Sequence, residues 1–156
     1  WKDLLQKNLC FPVYNINETI LSYLDDLFIY LNKSQKMILH GDINSHNIVR
    51  GEDGVGIIDF ERIMIGPPCL DLSQIVEKVD SDSELDFYIS EFEDNSQKPA
   101  VRNEVLEWAK WGEIFNCFYW ICYFIEQTLS GKELGANWRK KHYDPMIRRL
   151  YELNIS

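Results

Sequence analysis

The stretch NIVRGEDGVGIIDF, residues 47–60, constrains the fold more than any other part of this chain. Two runs rich in β-branched residues flank a Gly/Asp turn, and Asp53-Gly54 is a strong turn signal, so the segment predicts a β-hairpin. A hairpin brings residues far apart along the chain together at its open end. If Arg50 pairs with Val55, Asn47 lies opposite Ile58. A register shifted for a tighter turn instead puts Ile48 opposite Asp59. In both registers Asn47 and Asp59 end within about one residue of each other.

Just upstream, LHGDINSHNIV (39–49) sets His40, Gly41, Asp42 and Asn47 in an apolar frame, and KMILH (36–40) predicts a short strand leading into it. Asp42 and Asn47 can point from one loop into one cleft, with Asp59 brought in by the hairpin. Two neighbouring oxygen ligands suit a hard divalent cation such as Mg²⁺, which substrate phosphates and waters complete. A separate Asp beside that site can orient a hydroxyl and take its proton. That is the outline of phosphoryl transfer. The plainer alternative is a satisfied turn, because Asp and Asn bond their own backbone readily. His40 reads as a buried, hydrogen-bonded structural histidine in preference to a catalytic one.

Helices account for most of the remainder. Residues 15–33 predict one, with Asn15 as cap, Glu18 three residues on, and Ile20, Leu21, Leu24, Leu27, Phe28 and Leu31 on one stripe. GPPCLDLSQIVEKV (66–79) predicts a loop entering a helix, since Pro67 and Pro68 suit a loop or first turn. Residues 81–94 predict a second helix with Ser81 and Glu84 as a capping box. A long helix is expected over 101–129, ended by Ser130-Gly131, and a last one over 144–153 with Pro145 at its first position. The fold class is α+β, mostly helical, with two short β pieces followed by helix.

A chain of 156 residues, 46% apolar and 13% aromatic, is the size of one domain and can build a core. Its net charge of −9 argues against a nucleic-acid partner and favours a cationic small-molecule ligand. The four cysteines, at 10, 69, 117 and 122, form no CxxC pair and read as reduced core thiols of a cytoplasmic protein. The most apolar run, residues 114–125, falls short of a membrane span and is interrupted by Asn116, so no membrane partner is expected. WKDLLQKNLC has no apolar core of a signal peptide, and an opening Trp1 is expected of a fragment or processed product.

HGDINSHN (40–47), IIDFE (57–61) and GPPCLDL (66–72), in that order and spacing, resemble the aminoglycoside phosphotransferase and choline kinase group of protein-kinase-like enzymes. The resemblance is close over residues 37–75. It implies the C-terminal lobe of a protein-kinase-like fold, with a catalytic loop at 39–49, a metal-binding hairpin at 47–61 and a helical substrate subdomain at 66–156. Asp42 is implied as the catalytic Asp, and Asn47 and Asp59 as the Mg²⁺ ligands. His40 would support the loop, Asp71 would brace it from the following helix, and Glu61 could line the cleft. The co-substrate would be ATP or GTP, and the acceptor an alcohol on a cationic molecule, an aminoglycoside or an amino alcohol. Where the family often has His-Pro-Gly before the Asn, this chain has Asn44-Ser45-His46, a departure that could change the loop's backbone and let His46 add a contact near the phosphates. No GxGxxG occurs, and no upstream strand carries a Lys with a partner Glu. The N-terminal nucleotide lobe is therefore expected to be absent from these residues, and the fragment alone inactive.

Two other functions compete. One is a non-catalytic kinase-like lobe used for binding or regulation. The other is a metal-dependent hydrolase built on His40, Asp42, His46 and Asp59. The acidic run at 80–94 reads as a solvated helix face, with a wall for a cationic acceptor as the alternative. The aromatic helix (Trp108, Trp111, Phe115, Phe118, Tyr119, Trp120, Tyr123 and Phe124) reads as core, with a cation–π box as the alternative.

Overall fold

The structure, a computed structural model, describes residues 1–8, 16–44, 46–52, 54–73, 90, 102–132 and 138–153. The chain divides into two compact units, one of Trp1–Lys33 with Ile114–Ser156 and one of Ser34–Glu113.

The second unit is organised by two antiparallel strand pairs, one nested inside the other. Strands β2 (Ile48–Gly51) and β3 (Gly54–Ile57) form the expected hairpin, in the register that pairs Arg50 with Val55. Asn47 accordingly lies opposite Ile58, whose N–H donates to the Asn47 carbonyl at 2.9 Å. Strand β1 (Met37–Leu39) matches the expectation for 36–40, but its partner β4 (Met64–Gly66) has no counterpart in the sequence reading. The run IMIG, apolar and closed by Gly-Pro-Pro, carried a strand signal too short to stand out. With Leu39 paired to Met64 and Ile48 to Ile57, residues 40–47 and 58–63 are two facing segments tied at both ends.

After β4 the chain enters helix α3 (Cys69–Leu72) through Pro67 and Pro68, as their fixed φ allows. The expected continuation from residue 74 to 79 lies outside the described residues, as do all but helical Ser90 of the helix at 81–94, its Ser81/Glu84 box included, and the cap residue Asn15. Helix α4 (Arg102–Leu129) contributes to both units. Its Gly112 backs onto α3: a Cβ there would lie 2.6 Å from the Cys69 carbonyl oxygen and 3.0 Å from Ser73 N. Glycine inside a helix costs about 1 kcal/mol relative to Ala, and here that cost permits the close approach.

In the first unit, helix α1 (Lys2–Asn8) was not anticipated, whereas α2 (Glu18–Lys33) follows its predicted stripe. Ile20, Leu21, Leu24 and Leu27 are buried, Leu31 is half-buried, and Phe28 sits at the exposed margin. The α2 cap is Asn17: its side-chain oxygen accepts the Ile20 N–H at 3.1 Å, and its Nδ2 donates to Tyr151 Oη at 2.7 Å. Ile16 is buried, so the chain becomes helical only after it. A wide helical turn at Arg139–Tyr143 leads into helix α5 (Asp144–Glu152), with Pro145 in its first turn.

The aromatic helix divides its side chains. Trp108, Phe118 and Phe124 are buried, and Phe124 stacks on Trp138 at 5.3 Å. Tyr119, Trp120 and Tyr123 are exposed and meet edge to face at 5.5 and 5.7 Å. No helix among the described residues is long and apolar enough to cross a membrane.

Cys69, Cys117 and Cys122 are buried free thiols. Burial pushes the Cys69 and Cys122 thiols up to about 12. Both stay protonated until pH rises well past the ordinary thiol range, so a thiol reagent at pH 8 should react with them slowly in the native state and at once in denaturant. Mass spectrometry of the labelled protein checks this. Gly112→Ala should lower stability by about 1–3 kcal/mol through overpacking against α3, despite the better helix propensity. Urea denaturation reads that loss.

Candidate functional site

The site is built where the two facing segments, 40–47 and 58–63, lie between the strand pairs. Past Leu39 the backbone leaves β1, and the N–H groups of His40 and Gly41 need new acceptors. Asp71 of α3 supplies both: Oδ2 accepts from His40 N and Oδ1 from Gly41 N, each at 2.8 Å. These are charge-assisted bonds of good length. Gly41 has φ +80°, and a Cβ on it would strike the Arg62 carbonyl oxygen, so only glycine fits.

His40 is buried and fully engaged. Its Nε2 lies 2.9 Å from the Ile58 carbonyl oxygen, and its Nδ1 is 3.3 Å from the Asp42 N–H. A carbonyl can only accept, so Nε2 carries the hydrogen and Nδ1 is the acceptor. The Phe60 ring packs 4.8 Å away. With both nitrogens bonded to backbone, His40 cannot serve as a metal ligand, which removes one group from the metal-dependent hydrolase reading. Among the described residues, no three His, Cys, Asp or Glu side chains cluster so as to hold a metal.

Asp42 is half-buried and its carboxylate accepts from Asn44 Nδ2 at 3.2 Å. Asn47 is buried, and its Nδ2 donates to the Asp42 carbonyl at 2.8 Å. That bond uses the amide's nitrogen and leaves its oxygen as the remaining acceptor. Asp59 follows Ile58, one residue past the last hydrogen bond of the hairpin, and is exposed with φ 65° and ψ 63°. It is the non-glycine residue of positive φ among the described residues, and Asp is one of the few types that tolerate this conformation. Its side chain makes no hydrogen bond to a described residue. Glu61 is exposed in the short 3₁₀ turn Phe60–Arg62.

The structure thus brings His40, Asp42, Asn47, Asp59 and Asp71 into one framework and leaves Glu61 at its edge. The donor set left over, an amide oxygen of Asn47 and the carboxylate of Asp59, is all oxygen and fits Mg²⁺ in chemistry. Sequence reading missed Asn44 and Gly41 as working parts. The positive φ that Gly41 requires and the Asx character of Asn44 were the available signals.

Residues 1–108 match the phosphotransferase enzyme family. No protein of curated function matches the chain. Among solved structures, the chain is similar to the choline kinase LicA from Streptococcus pneumoniae, with a TM-score of 0.58 and 16% identity, over 97% of this chain and 52% of that one. At that identity the likeness is one of fold, and the chain spans about half the length of the kinase it matches. The family match covers most of the chain, including every residue of the site, and the chain belongs to the phosphotransferase enzyme family.

Proposed function

We propose that these residues form the catalytic half of a small-molecule kinase that moves the γ-phosphoryl group of ATP or GTP to a hydroxyl of a cationic acceptor, an amino alcohol or an aminoglycoside. The observation that carries the reading is that Asp42, Asn47 and Asp59 lie on two backbone segments tied at both ends, with Asn47 bonded to the Asp42 carbonyl through its Nδ2 and to the Ile58 N–H, beside Asp59, through its main-chain oxygen. In this reading residues 39–49 are the catalytic loop, 47–61 hold the metal, and 66–156 contribute the acceptor side. The nucleotide lobe is contributed by other residues of the full-length protein.

Asp42 orients the acceptor hydroxyl and takes its proton as the acceptor oxygen bonds to the γ-phosphorus. The bond from that phosphorus to the β–γ bridging oxygen breaks, and the nucleoside diphosphate leaves. Asn47 and Asp59 would hold Mg²⁺, which supplies charge neutralisation on the phosphate oxygens when bound. His40 and Asp71 position the loop through backbone bonds and touch no reacting atom. A net charge of −9 supports a cationic acceptor through long-range attraction, and choline, the substrate in the name of the similar kinase, belongs to that class.

The test is turnover by the full-length protein with Mg²⁺ and nucleotide against a panel of amino alcohols and aminoglycosides. Asp42→Asn should lower kcat by about 10²-fold or more while nucleotide binding persists. If the unsubstituted protein binds nucleotide and phosphorylates no alcohol, a binding or regulatory lobe replaces the kinase reading. Asp71→Asn sets an N–H against a backbone N–H and should destabilise by about 1–3 kcal/mol. Chemical denaturation should register that loss, with a fall in turnover alongside it.

A further inference from the structure

Asn44 makes more directed bonds to the loop than any role as a spacer requires. Its Nδ2 donates to the Asp42 carbonyl at 3.1 Å and to Asp42 Oδ1 at 3.2 Å. Its Oδ1 accepts the His46 N–H at 2.9 Å, and its main-chain oxygen accepts the Asn47 N–H at 3.0 Å. The amide cannot be turned over. A backbone N–H at His46 needs an oxygen opposite it, so the NH₂ end must face Asp42.

A carboxylate on one methylene rotates easily about its last torsion, whose wells are broad and two-fold. The Asn44 N–H removes that freedom by engaging one oxygen. Asp42 Oδ2 has no hydrogen bond to a described residue and is the oxygen left available. We propose that Asn44 is a positioning residue for the phosphoryl transfer: it locks the Asp42 carboxylate so that Oδ2 receives the acceptor hydroxyl. This rests on the reading of Asp42 as the group that takes the hydroxyl proton. The same side chain holds the turn that delivers Asn47, so one residue sets both the proton acceptor and a metal ligand. The two functions use opposite ends of the amide and can be separated. The oxygen end shapes the loop at His46, and the nitrogen end holds Asp42 through both its main-chain carbonyl and its carboxylate.

Asn44→Asp separates them in the full-length protein. It keeps an acceptor for the His46 N–H, removes the donor to Asp42 and adds a like charge beside it, so Asn44→Ser, which keeps the acceptor without the charge, is measured with it and should lose kcat as well. With acceptor and nucleotide both varied, kcat should fall by about 10–100-fold while KM for nucleotide stays unchanged. Asn44→Ala loses both ends, so its kcat should fall at least as far and its KM for nucleotide should rise, because the turn delivering Asn47 relaxes. Circular dichroism confirms that each variant is folded. If Asn44→Asp fails to fold, Asn44→Ser carries the test alone: its hydroxyl can still accept the His46 N–H but is one heavy atom short of the amide nitrogen that reaches Asp42, so kcat should fall in the same way. A folded Asn44→Asp with unchanged kcat overturns the proposal while leaving the kinase reading intact. Equal changes in kcat and KM would also overturn it, marking a purely structural residue. An unsubstituted protein without turnover overturns the kinase reading and this proposal with it.

Discussion

The Asp71 carboxylate holds two consecutive backbone N–H groups, His40 and Gly41, across about thirty residues of chain. Those donors would otherwise be stranded where β1 ends, and an unmet, partly buried N–H costs about 1–3 kcal/mol. Because one carboxylate answers both, the path of the loop beyond β1 is set by the position of α3. That position in turn depends on Gly112 of α4, whose missing side chain lets the Cys69 carbonyl and Ser73 come close. A helix glycine, a buried thiol residue and a carboxylate thus set the course of the loop that carries Asp42.

His40 carries the same constraint across to the facing segment. Its ring ties the Asp42 N–H on one side to the Ile58 carbonyl on the other, and Ile58 N–H returns to the Asn47 carbonyl. The two segments therefore share a closed set of bonds between strand pairs. Asp59 sits just beyond, in a left-handed conformation that costs of order 1–3 kcal/mol for a non-glycine residue. The surrounding bonds hold it there, and its carboxylate stays clear of protein partners among the described residues.

The two strand pairs are notably apolar on their exposed surfaces. Ile38 and Ile65, direct partners, are 75% and 77% exposed. Their branched side chains suit the extended backbone whether or not they are covered, so β propensity and burial part company here. The aromatic helix makes the opposite point. It looked like one core stripe, yet a helix carrying aromatic residues around its circumference must leave some outside, and Tyr119, Trp120 and Tyr123 are those.

Local chemistry was legible from the residues alone. The turn around Gly54, the β-branched flanks and the polar pattern of residues 40–47 led to the hairpin, to its register within one residue, and to Asp42, Asn47 and Asp59 at its open end. Apolar spacing located α2, and breaker residues, Ser130-Gly131 and Pro145, bounded α4 and α5, because period and breaker residues act within a few positions of each other. Tertiary structure alone decided the β1–β4 pair, the cap at Asn17, the tautomer of His40, the tie of Asn44 to Asp42, and which aromatics stay out of the core. Each of these depends on groups meeting in the assembled chain. Two three-residue strands carry no mark of which strand each will pair with, and a side-chain amide shows which end faces a carboxylate only once its neighbours are in place.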